Sequence, residues 1–144
     1  MRTVGSRPAT PPDTVGTTRD RGALGRRLVG GFFLVMGGVH LGIVGADPQT
    51  YDGFADHPLF PFVREGWHQI VMVHPEFWGL CLMAGEIVLG TLLLVGGRAA
   101  RWGWVGVITF HVLLMLFGVG FWLWSLPALA LLVWLARRDL TPAR

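Results

Sequence analysis

The chain has 144 residues, of which 52% are hydrophobic and only 15% charged, with a mean hydropathy of +0.52 and a net charge of +3. Its long apolar runs lack the polar surface that a water-soluble core of this size needs, and 21 Gly with seven Trp suit spanning helices and their interfaces. The Arg residues flank apolar runs instead of alternating with aromatics, which argues against a nucleic-acid partner; the single cysteine, Cys81, excludes an intrachain disulfide, a CxxC pair and a Cys-rich metal site.

Residues 1–24 are rich in Pro, Thr, Gly and Arg without apolar periodicity, and the expectation is a disordered tail. A transmembrane domain then covers 25–138. Arg26 and Arg27 lead into LVGGFFLVMGGVHLGIVGA, which predicts a first span over 28–46. A signal peptide cleaved after Val44 and Ala46 is the rival; the length of the apolar run and His40 within it favour a retained helix.

The interval 47–74 is the longest polar stretch and reads as a structured extracytoplasmic loop on the membrane surface. Trp67, Ile70, Val71 and His74 recur there at the spacing of a short interfacial helix. Asp52, Asp56, His57, His68 and His74 are metal-ligand types, yet their spacing matches no compact site, so none is assigned.

PEFWGLCLMAGEIVLGTLLLVGG predicts a second span over 75–97, whose only charge beyond the entry turn is Glu86. Gly79, Gly90 and Gly97 fall near Glu86 at helical spacing, the small-residue pattern of a close helix contact. GGRAARWG reads as a tight basic connection. From Trp102 to Ala136 no charge appears, too long for one span, and Gly118-Val119-Gly120 divides it into spans over 102–117 and 121–136. Ser125 and Pro127 offer an alternative start for the last span, since proline suits a first turn. Arg137 and Arg138 close it, and 139–144 forms a short end.

The expected fold is therefore all-α, a four-helix transmembrane bundle in the lipid bilayer of the cell (inner) membrane. Four spans place the tail, Arg98 with Arg101, and Arg137 with Arg138 on one side, so the positive-inside rule puts both termini in the cytoplasm.

Three ionisable residues lie inside spans. Glu86 sits about 15 Å from the outer end of its helix, while His40 and His111 sit about 18 Å and about 14 Å from the cytoplasmic ends of theirs. A mid-span carboxylate is costly unless neutralised, paired or reached by water, and three such residues at one level suggest a shared polar site. Imidazole and carboxylate together can pass protons to a quinone. A haem is disfavoured because nothing else in the sequence signals one. The structural alternatives are a protonated Glu86 bonded to a neighbouring helix, and histidines that hydrogen-bond across close Gly-rich contacts.

GRRLVGGFFLVMGGVHLGIVG, a basic start followed by a Gly-rich apolar helix, resembles the opening of DoxX-like membrane proteins. GLCLMAGEIVLGTLLLVGGRAARWG resembles them too, with Gly-Glu, a Gly four residues after that Glu and an Arg after the span. The resemblance covers residues 25–104, and the last two spans match in hydropathy alone. It implies a four-helix membrane fold and a link to redox complexes, since some relatives are subunits of thiosulfate:quinone oxidoreductase and others associate with thiol-handling or superoxide-detoxifying enzymes. It carries the motif's Glu onto Glu86 and no catalytic residue onto His40 or His111, and the long loop departs from shorter members. The leading expectation is a membrane subunit of a redox complex, with Glu86, His40 and His111 binding a quinone or exchanging its protons while a soluble partner enzyme supplies electrons. No flavin, nicotinamide or iron–sulfur motif is present to make the chain a complete oxidoreductase. The alternatives are a non-catalytic scaffold for a partner enzyme and a small proton-coupled transporter, for which four spans would call for a homo-oligomer.

Overall fold

The computed structural model describes residues 14–141, so the expectations for residues 1–13 and 142–144 lie outside the described residues. Five α-helices follow in order: α1 (Thr14–Ala46), α2 (Pro61–Gly66), α3 (Pro75–Val95), α4 (Gly97–Leu114) and α5 (Val119–Leu140). Short 3-10 turns cover Pro48–Ala55 and Met115–Phe117, and a π-helical turn, Trp67–Val71, continues α2. No strand occurs among the described residues. Four segments are long and apolar enough to cross a membrane: Gly22–Ala46, Pro75–Val95, Gly97–Phe117 and Val119–Leu140. The fold is thus an all-α, four-span membrane bundle.

Several boundaries differ from the sequence reading. The backbone is helical from Thr14, so the disordered tail does not extend to residue 24. Pro11 and Pro12 precede the helix, and the following Arg- and Ala-containing turns tolerate helix well once one end is anchored in a bundle. The basic connection shrinks to Gly96, because Arg98, Ala99, Ala100 and Arg101 belong to α4; alanine and arginine are strong helix formers and extend the span beyond its apolar core. Gly97 consequently opens α4 and does not share the Glu86 face. Gly96 (φ +83°) and Gly97 (φ +58°) take the left-handed backbone that reverses the chain at this point.

α5 starts at Val119 and not at Ser125. Gly118 (φ +102°) makes the reversal, and any Cβ there would run into the His57 carbonyl of the loop. Pro127 is therefore inside a helix, on its exposed side, and its missing N–H removes the usual helical partner of the Leu123 carbonyl. α5 also runs on through Leu140, which draws Asp139 from the expected end segment into the fold.

The spanning helices form a ring in which α1 packs on α3 and α5, and α4 packs on α3 and α5. Neighbours are antiparallel. Gly30 of α1 lies against Gly90 of α3, Gly37 against Met83 and Ile87, and Val44 against Gly79. Gly103 and Gly106 of α4 receive Leu93 and Leu89 of α3, and Gly25 of α1 receives Leu135 of α5. Glycine at these points lets backbones approach, which substitutes for the hydrophobic drive that lipid removes. The first helix supplies Phe33 to the core.

The molecule is layered along its axis. Nearest the terminal end, Leu93, Ala100, Trp104, Val107, Leu132, Ala136 and Phe33 form a dry core. At that end Arg26 donates from Nε to Asp139 Oδ1 (3.2 Å) and from Nη1 to the Leu93 carbonyl, while Trp104 Nε1 donates to Asp139 Oδ2 (3.0 Å). Arg26 thereby covers the carbonyl end of α3, where unpaired oxygens and the helix dipole favour a cation.

Candidate functional site

Above the dry core lies a polar layer. His40, Glu86, His111 and Ser125 are the buried polar side chains among the described residues, and each comes from a different spanning helix. Helix register puts them near one level. The Leu89–Gly106 and Leu93–Gly103 contacts, continued along α3 and α4, bring Glu86 abreast of His111. His111 and Ser125 lie seven residues before and after the Gly118 turn. Glu86 lies beside Gly37, one turn from His40 toward the terminal end.

Within this layer the structure joins two of the three residues singled out from sequence. His40 Nε2 is 3.6 Å from Glu86 Oε1, and both side chains are almost fully buried. His40 Nδ1 is 2.8 Å from the hydroxyl of Tyr51, whose ring stacks beside the imidazole. Glu86 Oε2 has no hydrogen-bond partner. The result is a buried line of three groups, Tyr51–His40–Glu86, running from the loop into the bundle.

His111 does not join this line. Its Nδ1–H donates to the Val107 carbonyl (2.9 Å), and its ring packs edge-on against Phe33 and Phe110. It makes no ion pair with Glu86. The back-bond within its own helix fixes Nδ1 as the donor.

Tyr51 was not singled out from sequence, and it completes the site. It is 2% exposed although it belongs to the loop, and it is the only tyrosine in the chain. Its seat is built by Gly79. A Cβ there would lie 2.8 Å from Tyr51 Cε2 and 3.0 Å from its hydroxyl, and would also meet Val44. Asp47 starts the 3-10 turn that carries Tyr51 by accepting from Gln49 N (3.0 Å), and Pro48 sets its first residue. Trp67 Nε1 donates to the Tyr51 carbonyl (2.9 Å), and Phe54 packs edge-on against the phenol. Trp67 also meets Phe117, and Phe54 meets Phe121, so aromatic rings from the loop and the α4–α5 turn roof the site. One signal was available: a single hydroxylated aromatic among nine Phe and seven Trp, in a loop read as structured.

Burial first, then the Glu86 carboxylate, holds the Tyr51 phenol above its ordinary pKa of 10.0, so it carries its proton throughout the physiological range. Two hydrogen-bond arrangements fit these atoms: Tyr51 O–H donating to His40 Nδ1 with Nε2–H toward the carboxylate, or Nδ1–H donating to the phenol oxygen. The 3.6 Å gap needs a contraction of about 0.5 Å to become a hydrogen bond.

The loop residues considered as metal ligands are spread out. His68 Nδ1 pairs with Asp52 Oδ1 (3.2 Å) at an exposed position, and no group of three or more such ligands converges among the described residues. Trp67, Ile70 and Val71 do lie on a helical segment, but it is the π turn continuing α2, and it ends before His74.

Comparison of the chain with protein-family models, with curated proteins and with solved structures finds no match.

Proposed function

We propose that this chain is the membrane subunit of a redox complex, in which Glu86, His40 and Tyr51 exchange a proton with a quinone while a partner protein handles the electrons. The observation that carries the proton half of this reading is Glu86 itself, 3% exposed, with one oxygen facing His40 and the other unpaired. A carboxylate in this condition costs stability in an apolar bundle, and intramembrane groups of this kind mark proton or substrate pathways. The redox half rests on the likeness of the Gly-Glu segment around Glu86 to DoxX-like proteins. Interconversion of quinone and quinol moves two electrons and two protons, so a proton-holding line in the membrane complements a soluble electron donor or acceptor.

Co-purification in mild detergent, with partner and extracted quinones identified by mass, supplies the complex for the decisive test. Glu86→Gln keeps shape and polarity but cannot ionise. Its folded yield should match the parent, and quinone-linked turnover of the reconstituted complex should fall by about 100-fold or more. Normal turnover would end this reading. Turnover that is spared in Glu86→Gln but lost when the loop is disturbed would identify a scaffold instead.

The proposal includes an orientation with both termini in the cytoplasm. Arg26, Arg27, Arg98, Arg101, Arg137 and Arg138 gather at the terminal end of the bundle, as the positive-inside rule requires. On a Cys81→Ala background, Thr50→Cys should react with an impermeant thiol reagent in intact cells and Thr141→Cys should not. The reverse pattern would invert the model.

A further inference from the structure

At the terminal end, α4 carries a shallow groove of about 280 Å³ lined by Arg98, Arg101, Trp102 and Val105. We propose that this groove binds one anionic phospholipid, with its phosphate held by the two guanidinium groups and the start of an acyl chain lying on Trp102 and Val105. The proposal is independent of the redox reading, since the groove faces outward and shares no residue with the polar layer.

The spacing of these four residues places them on one helix face. Along the axis they extend about 10 Å, from the basic end of the span into its apolar part. This graded sequence, two cations, then an amphipathic ring, then an aliphatic side chain, matches a phospholipid read from phosphate to chain. Trp102 is 70% exposed and Val105 56% exposed, so neither contributes to the bundle's core.

Among the described residues, the fold offers no partner to the charge of either arginine. Both lie in the first turns of α4, at the positive end of its dipole, where cations are disfavoured. Neither has a carboxylate partner among the described residues, whereas Arg26 is paired with Asp139 and Arg138 lies over the Trp134 ring at 3.9 Å. An anion between Arg98 and Arg101 removes their mutual repulsion, meets the helix end favourably and engages the planar donor forks that suit phosphate. A zwitterionic lipid offers the same phosphate, but its ammonium group opposes a site already rich in arginine.

The test uses the full chain purified in a neutral detergent. Phosphatidylglycerol or phosphatidylcholine is titrated in, and lipid retention is read by native mass spectrometry. The parent protein should retain one phosphatidylglycerol about tenfold more tightly than phosphatidylcholine, the scale of one charge-assisted contact. Arg98→Gln with Arg101→Gln should abolish that preference, while Arg27→Gln with Arg137→Gln should leave it. Trp102→Ala should weaken retention with every charge intact. If the double glutamine variant misfolds, Arg98→Lys with Arg101→Lys keeps the charge and loses the forks, and should bind with reduced preference. Equal loss in the Arg27/Arg137 control would show a diffuse field instead of a site. Displacement of the lipid by millimolar inorganic phosphate would make free phosphate the ligand. Either result, or an unchanged double variant, overturns the proposal.

Discussion

At the terminal end of the bundle, Asp139 has one oxygen bonded to Arg26 and the other to Trp104, and Arg26 Nη1 donates to the Leu93 and Leu94 carbonyls of α3. Toward the loop end, Glu86 faces His40 across 3.6 Å and its second oxygen meets nothing. Both carboxylates are buried or nearly so, and both lie beside a basic side chain from α1. They differ in completeness. A fully bonded charge network holds a fold in one arrangement, because every change breaks a bond in a medium that offers no replacement. A network with a spare lone pair and a long gap has room for another proton. The comparison separates a carboxylate with both oxygens bonded from one with an oxygen left over, although sequence alone would rank Glu86 and ignore Asp139.

The sharpest way to break this contrast is Arg26→Ala. It strips a partner from Asp139 and from the α3 carbonyls together, and should lower stability in detergent by about 3 kcal/mol. Replacing both partners, as Arg26→Met with Asp139→Leu, should recover most of that loss. Thermal unfolding followed by circular dichroism reads both. If Arg26→Ala costs no more than Glu86→Gln, the two carboxylates are not different in kind.

A second, smaller effect tests whether close backbone packing holds α1 and α3 together. A Cβ on Gly90 would lie 2.7 Å from the Gly30 carbonyl, a backbone atom that cannot swing aside. Gly90→Leu should therefore cost about 2 kcal/mol, whereas Gly85→Leu, which meets nothing within 4 Å, should be neutral. Equal melting temperatures would remove the α1–α3 contact as the frame of the site.

The smallest effect sharpens the role of Tyr51. Tyr51→Phe leaves His40 Nδ1 without its partner and should cost about 1 kcal/mol near neutral pH. The phenol's pKa is raised in the fold, so the unfolded chain releases this proton first. Its contribution is present below pH 10.0 and is lost as pH rises through the higher folded value. The parent protein should lose stability on that alkaline side, and Tyr51→Phe should show a shallower decline. Parallel curves would mean that Tyr51 is exposed to water and not part of a buried line.

The number of spans, the helical first span, the Gly118 division and the mid-span placement of His40, Glu86 and His111 were all legible from composition and charge. Hydropathy is additive along a chain, and a bilayer imposes its own length on any segment that crosses it. Helix ends were less legible, because alanine and arginine continue a helix past the point where apolar character stops.

What the sequence could not determine was angle and partnership. His40, Glu86 and His111 share a depth by residue count, yet only two of them meet, because side-chain direction around each helix axis depends on how Gly30, Gly37, Gly79 and Gly90 seat α1 against α3. Tyr51 and Asp139 stand outside or at the edge of the apolar runs, and chain position gives no hint that one folds down onto an imidazole and the other clamps an arginine. One contact spans 11 positions of the chain and the other 113. They exist because buried polar groups in a lipid-embedded bundle must find partners within the protein, and only the packed helices decide which partners are within reach.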